Sequence, residues 1–226
     1  MISKRFKKLP TKTSELGSET IEKLLPLVKK NCTTKFDESV DLSFQINNKQ
    51  KKGEINIRTV INLPGGSGKK VKIAVVCEDA KSKEAKDAGA DIVGGEEFIE
   101  KIKSGELNFE KLICTSQMMV KLSKLGKILG PKGLMPNPKL GSVSNDIKQA
   151  VSDAKFGQAE IRNDKDGNIA ASIGKKSFSD NKIIENFNVF MQTIQKEKPN
   201  GIKGDFILSS FLTSTMGISY KLKLRT

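Results

Sequence analysis

The chain has 226 residues, with 40 Lys and Arg against 26 Asp and Glu, a net charge of +14 and a pI near 9.6. Its 36% hydrophobic and 29% charged content is that of a chain able to build a core, and no run of about 18 apolar residues is present to span a membrane. The complete lack of histidine excludes histidine zinc sites and histidine acid–base chemistry, and the three scattered cysteines, with no CxxC pair, read as buried thiols in a reducing compartment.

Residues 1–17 are basic and read as an arm. Ser18 is the expected N-cap of a helix with Glu19 and Glu22 near its start and Ile21, Leu24, Leu25, Leu27 and Val28 on its apolar face. Pro26 is expected to kink that helix or shift its start. Val40, Leu42, Phe44 and Ile46 then alternate with polar residues, and Ile55, Ile57, Thr59 and Ile61 repeat the alternation after a turn over Asn47 to Gly53. Two such runs predict a hairpin.

After Pro64–Gly68 the pattern changes. Val71–Val76 is a short apolar run of the kind buried on both faces of a parallel sheet. A charged helix, Asp91–Gly95, a helix bearing Phe98, Ile99 and Ile102, the strand Leu112–Thr115 and a helix lined by Met118, Met119, Leu122 and Leu125 follow in turn. Short strands alternating with helices predict an α/β unit. From Gly157 longer strands return. Gln158–Arg162 and Asn168–Ile173 flank Asp166-Gly167, a hairpin signal. A helix over about Ser179 to Lys198 and strands over Phe206–Thr213 and Ile218–Leu224 complete the chain.

The expected architecture is therefore mixed: a split, two-layer α+β domain from residues 1–66 and 157–226, with a three-layer, Rossmann-like α/β domain, residues 67–156, inserted in it. The first and last segments carry 13 basic against 7 acidic groups and 11 against 7, together +10. The insert carries 16 against 12, only +4. A basic excess of this size fits a polyanionic partner. A membrane surface is the poorer fit, because no long basic amphipathic helix and no tryptophan are present.

Gly65-Gly66-Ser67-Gly68-Lys69-Lys70 superficially resembles a phosphate loop. A Walker loop needs glycine where Leu63 stands and Ser or Thr where Lys70 stands, and it opens a helix rather than a strand. The segment reads as a hinge, and Gly89 and Gly94-Gly95 lack dinucleotide spacing. No catalytic constellation, metal site or cofactor is expected; a nucleotide-binding α/β enzyme is the alternative reading. Leu125–Lys139 holds three prolines, three glycines and four lysines, and reads as an ordered basic loop or a rigid connector.

The run MMVKLSKLGKILGPKGLMPNPK closely resembles the signature of the ribosomal L-one family of the large subunit. The likeness extends to Lys35-Phe36-Asp37-Glu38, to Ala88–Glu96, to Asp166–Ile169 and to Ser214-Thr215-Met216-Gly217. The resemblance implies the two-domain architecture, binding to a stalk of large-subunit rRNA near the exit site, and help for exit-site tRNA to leave once deacylated. For bacterial members it further implies repression of translation from the protein's own operon mRNA. It places the protein on cytoplasmic ribosomes, or in an organellar matrix, and the chain is expected to be a monomer when free.

Carried over by position, the RNA face comprises Lys35, Phe36, Ser209, Thr215, Met216 and Gly217. On residue type alone Phe36 and Met216 would be assigned to the core, and only the resemblance moves them to the surface. Ile218 stands where the family usually has proline, which implies a less rigid loop. Asn47–Lys52 departs from the Pro- and Asp-containing turn of relatives, so no contact is assigned to it.

Overall fold

The first long strand, β1 (Ser39–Ile46), realises its alternation in full: Val40, Leu42, Phe44 and Ile46 are buried and the residues between them are not. The computed structural model that reveals this describes residues 4–7, 9, 18–47, 57–105, 107–199 and 204–224. The chain divides into two compact units, one from both chain ends, up to Gly68 and again from Ala159, the other Lys69–Gln158.

In the unit built from the chain ends, β1 lies between β7 (Asn168–Lys175) and β8 (Ile207–Ser214), antiparallel to both, and β9 (Tyr220–Lys221) adds to β8. The inward residues of this sheet share a core with Leu24, Leu25 and Val28 of α2 (Ile21–Lys30) and with Ile183, Phe190 and Ile194 of α8 (Asp180–Lys196). The Phe44 and Phe190 rings meet at 5.5 Å between centroids. A second sheet pairs β2 (Arg58–Asn62) with β6 (Gln158–Arg162).

Several local expectations change. The hairpin between β1 and the strand after it does not form: both edges of β1 are taken by strands far along the chain, and β2 pairs with β6. Alternation fixes which face of a strand is buried, not which strand lies beside it. The connecting turn, residues 48–56, lies outside the described residues. Around Asp164–Gly167 the chain does turn, with the Asp164 carboxylate accepting from the Asp166 and Asn168 backbones at 3.0 and 2.6 Å. Its two arms are joined by an Asn163–Ile169 bridge and by Asp164 N donating to Asn168 O at 3.0 Å, while β6 and β7 themselves belong to different sheets.

The first long helix is capped at Thr20, not Ser18, and Pro26 sits inside it. The described part of the N-terminal arm is not loose: α1 (Lys4–Lys7) places Phe6 against the core, and Leu9 is buried. Buried Asn186 of α8 accepts from the Gly65 backbone at 2.8 Å and donates to Gly66 and Ile173 carbonyls, so it holds the turn after β2.

The other unit is a parallel sheet, ordered β4 (Ile92–Gly94), β3 (Ile73–Val76), β5 (Lys111–Cys114). Ile73 and Val75 pack with Ala85 of α3 (Asp79–Asp87) and Val151 of α7 (Ile147–Phe156). Ala74 and Val76 face the opposite way, onto Ile102 of α4 (Glu96–Lys103), Leu122 of α5 (Ser116–Ser123) and Leu129 of α6 (Gly126–Leu129). Burial on both faces is why β3 reads as an unbroken apolar run. All three cysteines are free and buried, and burial pushes the Cys114 thiol up to about 12.

Candidate nucleic-acid interface

Where β1 begins and β8 ends, two loops are joined by one acidic side chain. Glu38 lies a step before Val40 in the alternation, so it points inward and is fully buried. Its carboxylate accepts from the Thr34 hydroxyl at 2.8 Å, the Thr34 backbone at 3.2 Å and the Met216 backbone at 3.2 Å. Burial would raise this carboxyl. The Ser214 hydroxyl, which stands close to it although outside strict hydrogen-bond geometry, together with the Thr34 and Met216 donors, outweighs burial and holds it below the ordinary carboxylate value. The neighbouring Asp37 accepts from the Ser177 backbone and hydroxyl, at 3.1 and 2.7 Å.

The Ser214–Gly217 turn is fastened on several sides. Thr215 N donates to Ser39 O at 3.1 Å, and Ser39 N donates to the Thr215 hydroxyl at 3.0 Å. Gly217 N donates to Ser214 O at 3.2 Å. The Arg5 guanidinium donates to Met216 O at 2.6 Å and to the Thr33 hydroxyl at 2.9 Å. Both backbone groups of Met216 are thus engaged within the protein, and its side chain stands outward, 47% exposed. Phe36 is 53% exposed and Lys35 is exposed beside it. The alternative that Phe36 and Met216 are core residues does not hold. Ile218, in contrast, is buried in the core.

These contacts bring the Lys35–Phe36 loop together with Thr215, Met216 and Gly217. Ser209 is not in that cluster. It lies on β8 opposite Gln45 of β1, six residues before Thr215, or roughly 20 Å along an extended strand. Its hydroxyl donates to the Gln45 side chain at 3.3 Å. Ser209 and Thr215 nevertheless share the sheet face turned away from the core. That face also carries Ser39, Asp41, Ser43 and Gln45 of β1, Ser172 of β7, and Phe211 and Thr213 of β8. It is a surface rich in hydroxyls and amides, with an apolar and basic cluster at one end.

Sequence reasoning assigned no role to Glu38 or Arg5. For Glu38 the signal was present, since the alternation of β1 extended back one step puts an acid on the buried side. For Arg5 no local signal exists, because its partners lie 28 and 211 residues away.

The model of the Ribosomal protein L1p/L10e family matches residues 28–218. The chain belongs to that family. A relative from Pelagibacter ubique (strain HTCC1062), the "Large ribosomal subunit protein uL1", is 74% identical over 225 residues, covering 99% of this chain and 98% of its own. Proteins with the same description from Rickettsia africae (strain ESF-5) and Prochlorococcus marinus (strain NATL1A) are 42% and 43% identical, covering 96% and 98% of this chain and 92% and 94% of theirs. These relatives are bacterial, and the family is one of structural ribosomal proteins and not of enzymes, which sets aside the nucleotide-binding alternative. The matched span runs from α2 through the Thr-Met-Gly turn, so the L1 family residues include both loops that Glu38 joins.

Proposed function

We propose that the protein is a structural component of the large ribosomal subunit in the bacterial cytoplasm, binding a stalk of large-subunit rRNA near the tRNA exit site. The domain formed by both chain ends carries the RNA face, on Lys35, Phe36, Ser209, Thr215, Met216 and Gly217. The same face binds a similar fold in the protein's own operon mRNA and so represses its translation. On the ribosome the complex helps deacylated tRNA leave the exit site. Free of RNA, the chain is a monomer.

The observation that carries this reading is the Glu38 joint. It holds an exposed Phe and an exposed Met, with a lysine beside them, at the end of a hydroxyl-rich sheet face. Structured RNA offers a shallow minor groove of 2′-hydroxyls, which such a face suits. The Thr215 hydroxyl accepts from Ser39 N at 3.0 Å and donates only at 3.5 Å to Ser39 O, a long bond that an RNA acceptor can replace. Met216 and Phe36 can cover a ribose or base. Sedimentation of the tagged protein should show it travelling with large subunits. A protein that stays at the top of the gradient while its Phe36→Ala and Met216→Ala variants bind stalk RNA normally would sink the proposal.

A further inference from the structure

The last strand covers only part of β8. Phe211 pairs with Lys221 and Leu212 with Tyr220, and Leu222 N donates to Ser210 O at 2.8 Å. From there the chain leaves β8, and Lys223 N donates instead to Glu19 O at 2.8 Å, on the segment that leads into α2. Backbone groups of an antiparallel strand turn to alternate edges. Leu208, two residues before Ser210, therefore turns its backbone to the same edge, and among the described residues no strand pairs with it there. Leu208 is also the extra residue of a bulge, since β1 sets Gln45 opposite Ser209 but Ile46 opposite Ile207. Its side chain is 47% exposed.

A groove of about 480 Å³ opens beside this bare edge. Phe206 and Leu208 line it on the sheet side, Met191 of α8 faces them, and Leu222 and Leu224 complete an apolar floor. A second hollow of about 260 Å³ continues it along α8, past half-buried Ile184 and Phe187, and Met191 and Leu224 line both. The rim has the opposite character. Lys198, Lys221 and Lys223 line the larger groove and are exposed, and among the described residues Asp205 is the one acid lining it.

Main-chain donors and acceptors along a strand edge are matched by another peptide backbone, and strand addition is the recognition mode that uses them. An added strand turns alternate side chains to one face, so its apolar residues would fill the floor at every second position. The excess of lysines on the rim selects for carboxylates at its ends. RNA would satisfy the lysines but neither the apolar floor nor the ladder. We propose that this groove takes an extended peptide segment, apolar at its centre and acidic at its ends, which adds to β8 beside Leu208. The inference stands apart from the RNA-binding reading above.

The test titrates the full chain with an end-blocked peptide, Glu-Glu-Val-Ile-Val-Glu-Glu, and with the version that has Lys in place of every Glu. Two further versions of the acidic peptide are methylated on one or the other alternate set of backbone nitrogens. The acidic peptide should bind saturably, with backbone NMR shifts centred on Leu208, Ser209 and the facing side of α8. The lysine version should bind about tenfold more weakly or worse. One methylated version should lose about tenfold or more and the other little, because only alternate N–H groups meet the partner strand. Changing Lys198, Lys221 and Lys223 together to Gln should weaken the acidic peptide about tenfold without changing the melting temperature, and Leu208→Gln should weaken both peptides. Absence of saturable binding overturns the proposal and leaves the lysines as guards of a bare edge. Equal binding by both methylated versions and the parent peptide overturns strand addition. A triple Lys→Gln variant that loses stalk RNA but binds the acidic peptide as the wild type does gives the groove to RNA, and overturns it as well.

Discussion

Replacing Gly217 by Ala tests how the Thr-Met-Gly turn is built. A Cβ at this position would lie 2.2 Å from Ser214 Oγ, which real contacts do not allow, while the next nearest atoms, Ser214 Cβ and N, are at 3.5 and 3.8 Å. The obstruction is therefore a single buried hydroxyl. Forcing it aside is overpacking, worth about 1–3 kcal/mol of stability. Ser214 Oγ makes no hydrogen bond of strict geometry and only stands close to the Glu38 carboxylate, so Ser214→Ala should cost about 1–2 kcal/mol. The double variant should then recover most of what Gly217→Ala loses, giving a coupling of about 1–3 kcal/mol in a double-mutant cycle. Denaturant melts with unchanged m-values measure it. Stalk RNA titrations on the same four proteins should follow, since Gly217→Ala also displaces Met216. If the two losses simply add, the glycine is not there to make room for Ser214, and close approach of RNA to its backbone becomes the better explanation.

Glu38→Gln should destabilise the fold by about 2–3 kcal/mol, because a buried carboxylate with several donors becomes a neutral amide that must point a donor at them. Since the folded Glu38 carboxyl lies below its ordinary value of 4.5, its contribution is fully present above that pH and is lost as pH falls below it. Acid melts of the wild type should show this component, and Glu38→Gln should lack it. Phe36→Ala and Met216→Ala should weaken stalk binding by about 1–3 kcal/mol each with little change in melting, in keeping with their exposure. A large melting loss with normal binding would count against that assignment. Arg5→Ala should lower RNA affinity several-fold through the released Met216 carbonyl while costing about 1 kcal/mol or less of stability; equal affinity in Arg5→Ala and wild type would show that the turn holds its shape without the arginine.

What the sequence made legible was local. The period of Val40–Ile46, the apolar run at Val71–Val76 and the helix expected over about Ser179 to Lys198 all depend on neighbours within a few residues, and the elements stand there as Ser39–Ile46, Ile73–Val76 and Asp180–Lys196. The partner of β1 was not legible, because its neighbours Ile169 and Leu212 lie more than a hundred residues away and no periodicity encodes that choice. The same holds for the site. Phe36 and Met216 look like core residues by type, and only resemblance to a known family pointed to their exposure. Glu38 stood in a block already noticed, yet its role needs both the inward side of β1 and a turn 178 residues on.

The position of β1 between β7 and β8 also bears on how the protein comes off the ribosome that makes it. β1 is synthesised early, but neither of its edges can be covered until the chain has passed Asn168 and Ile207. At about 5–20 residues per second, the wait for β8 is roughly 10–30 seconds. The Lys69–Gln158 unit, contiguous in sequence, is complete well before that time. A half-apolar strand with two bare edges is meanwhile open to wrong partners. Nascent chains halted before Asn168 should accordingly be the ones that engage chaperones or aggregate, and those halted beyond Ser214 should not.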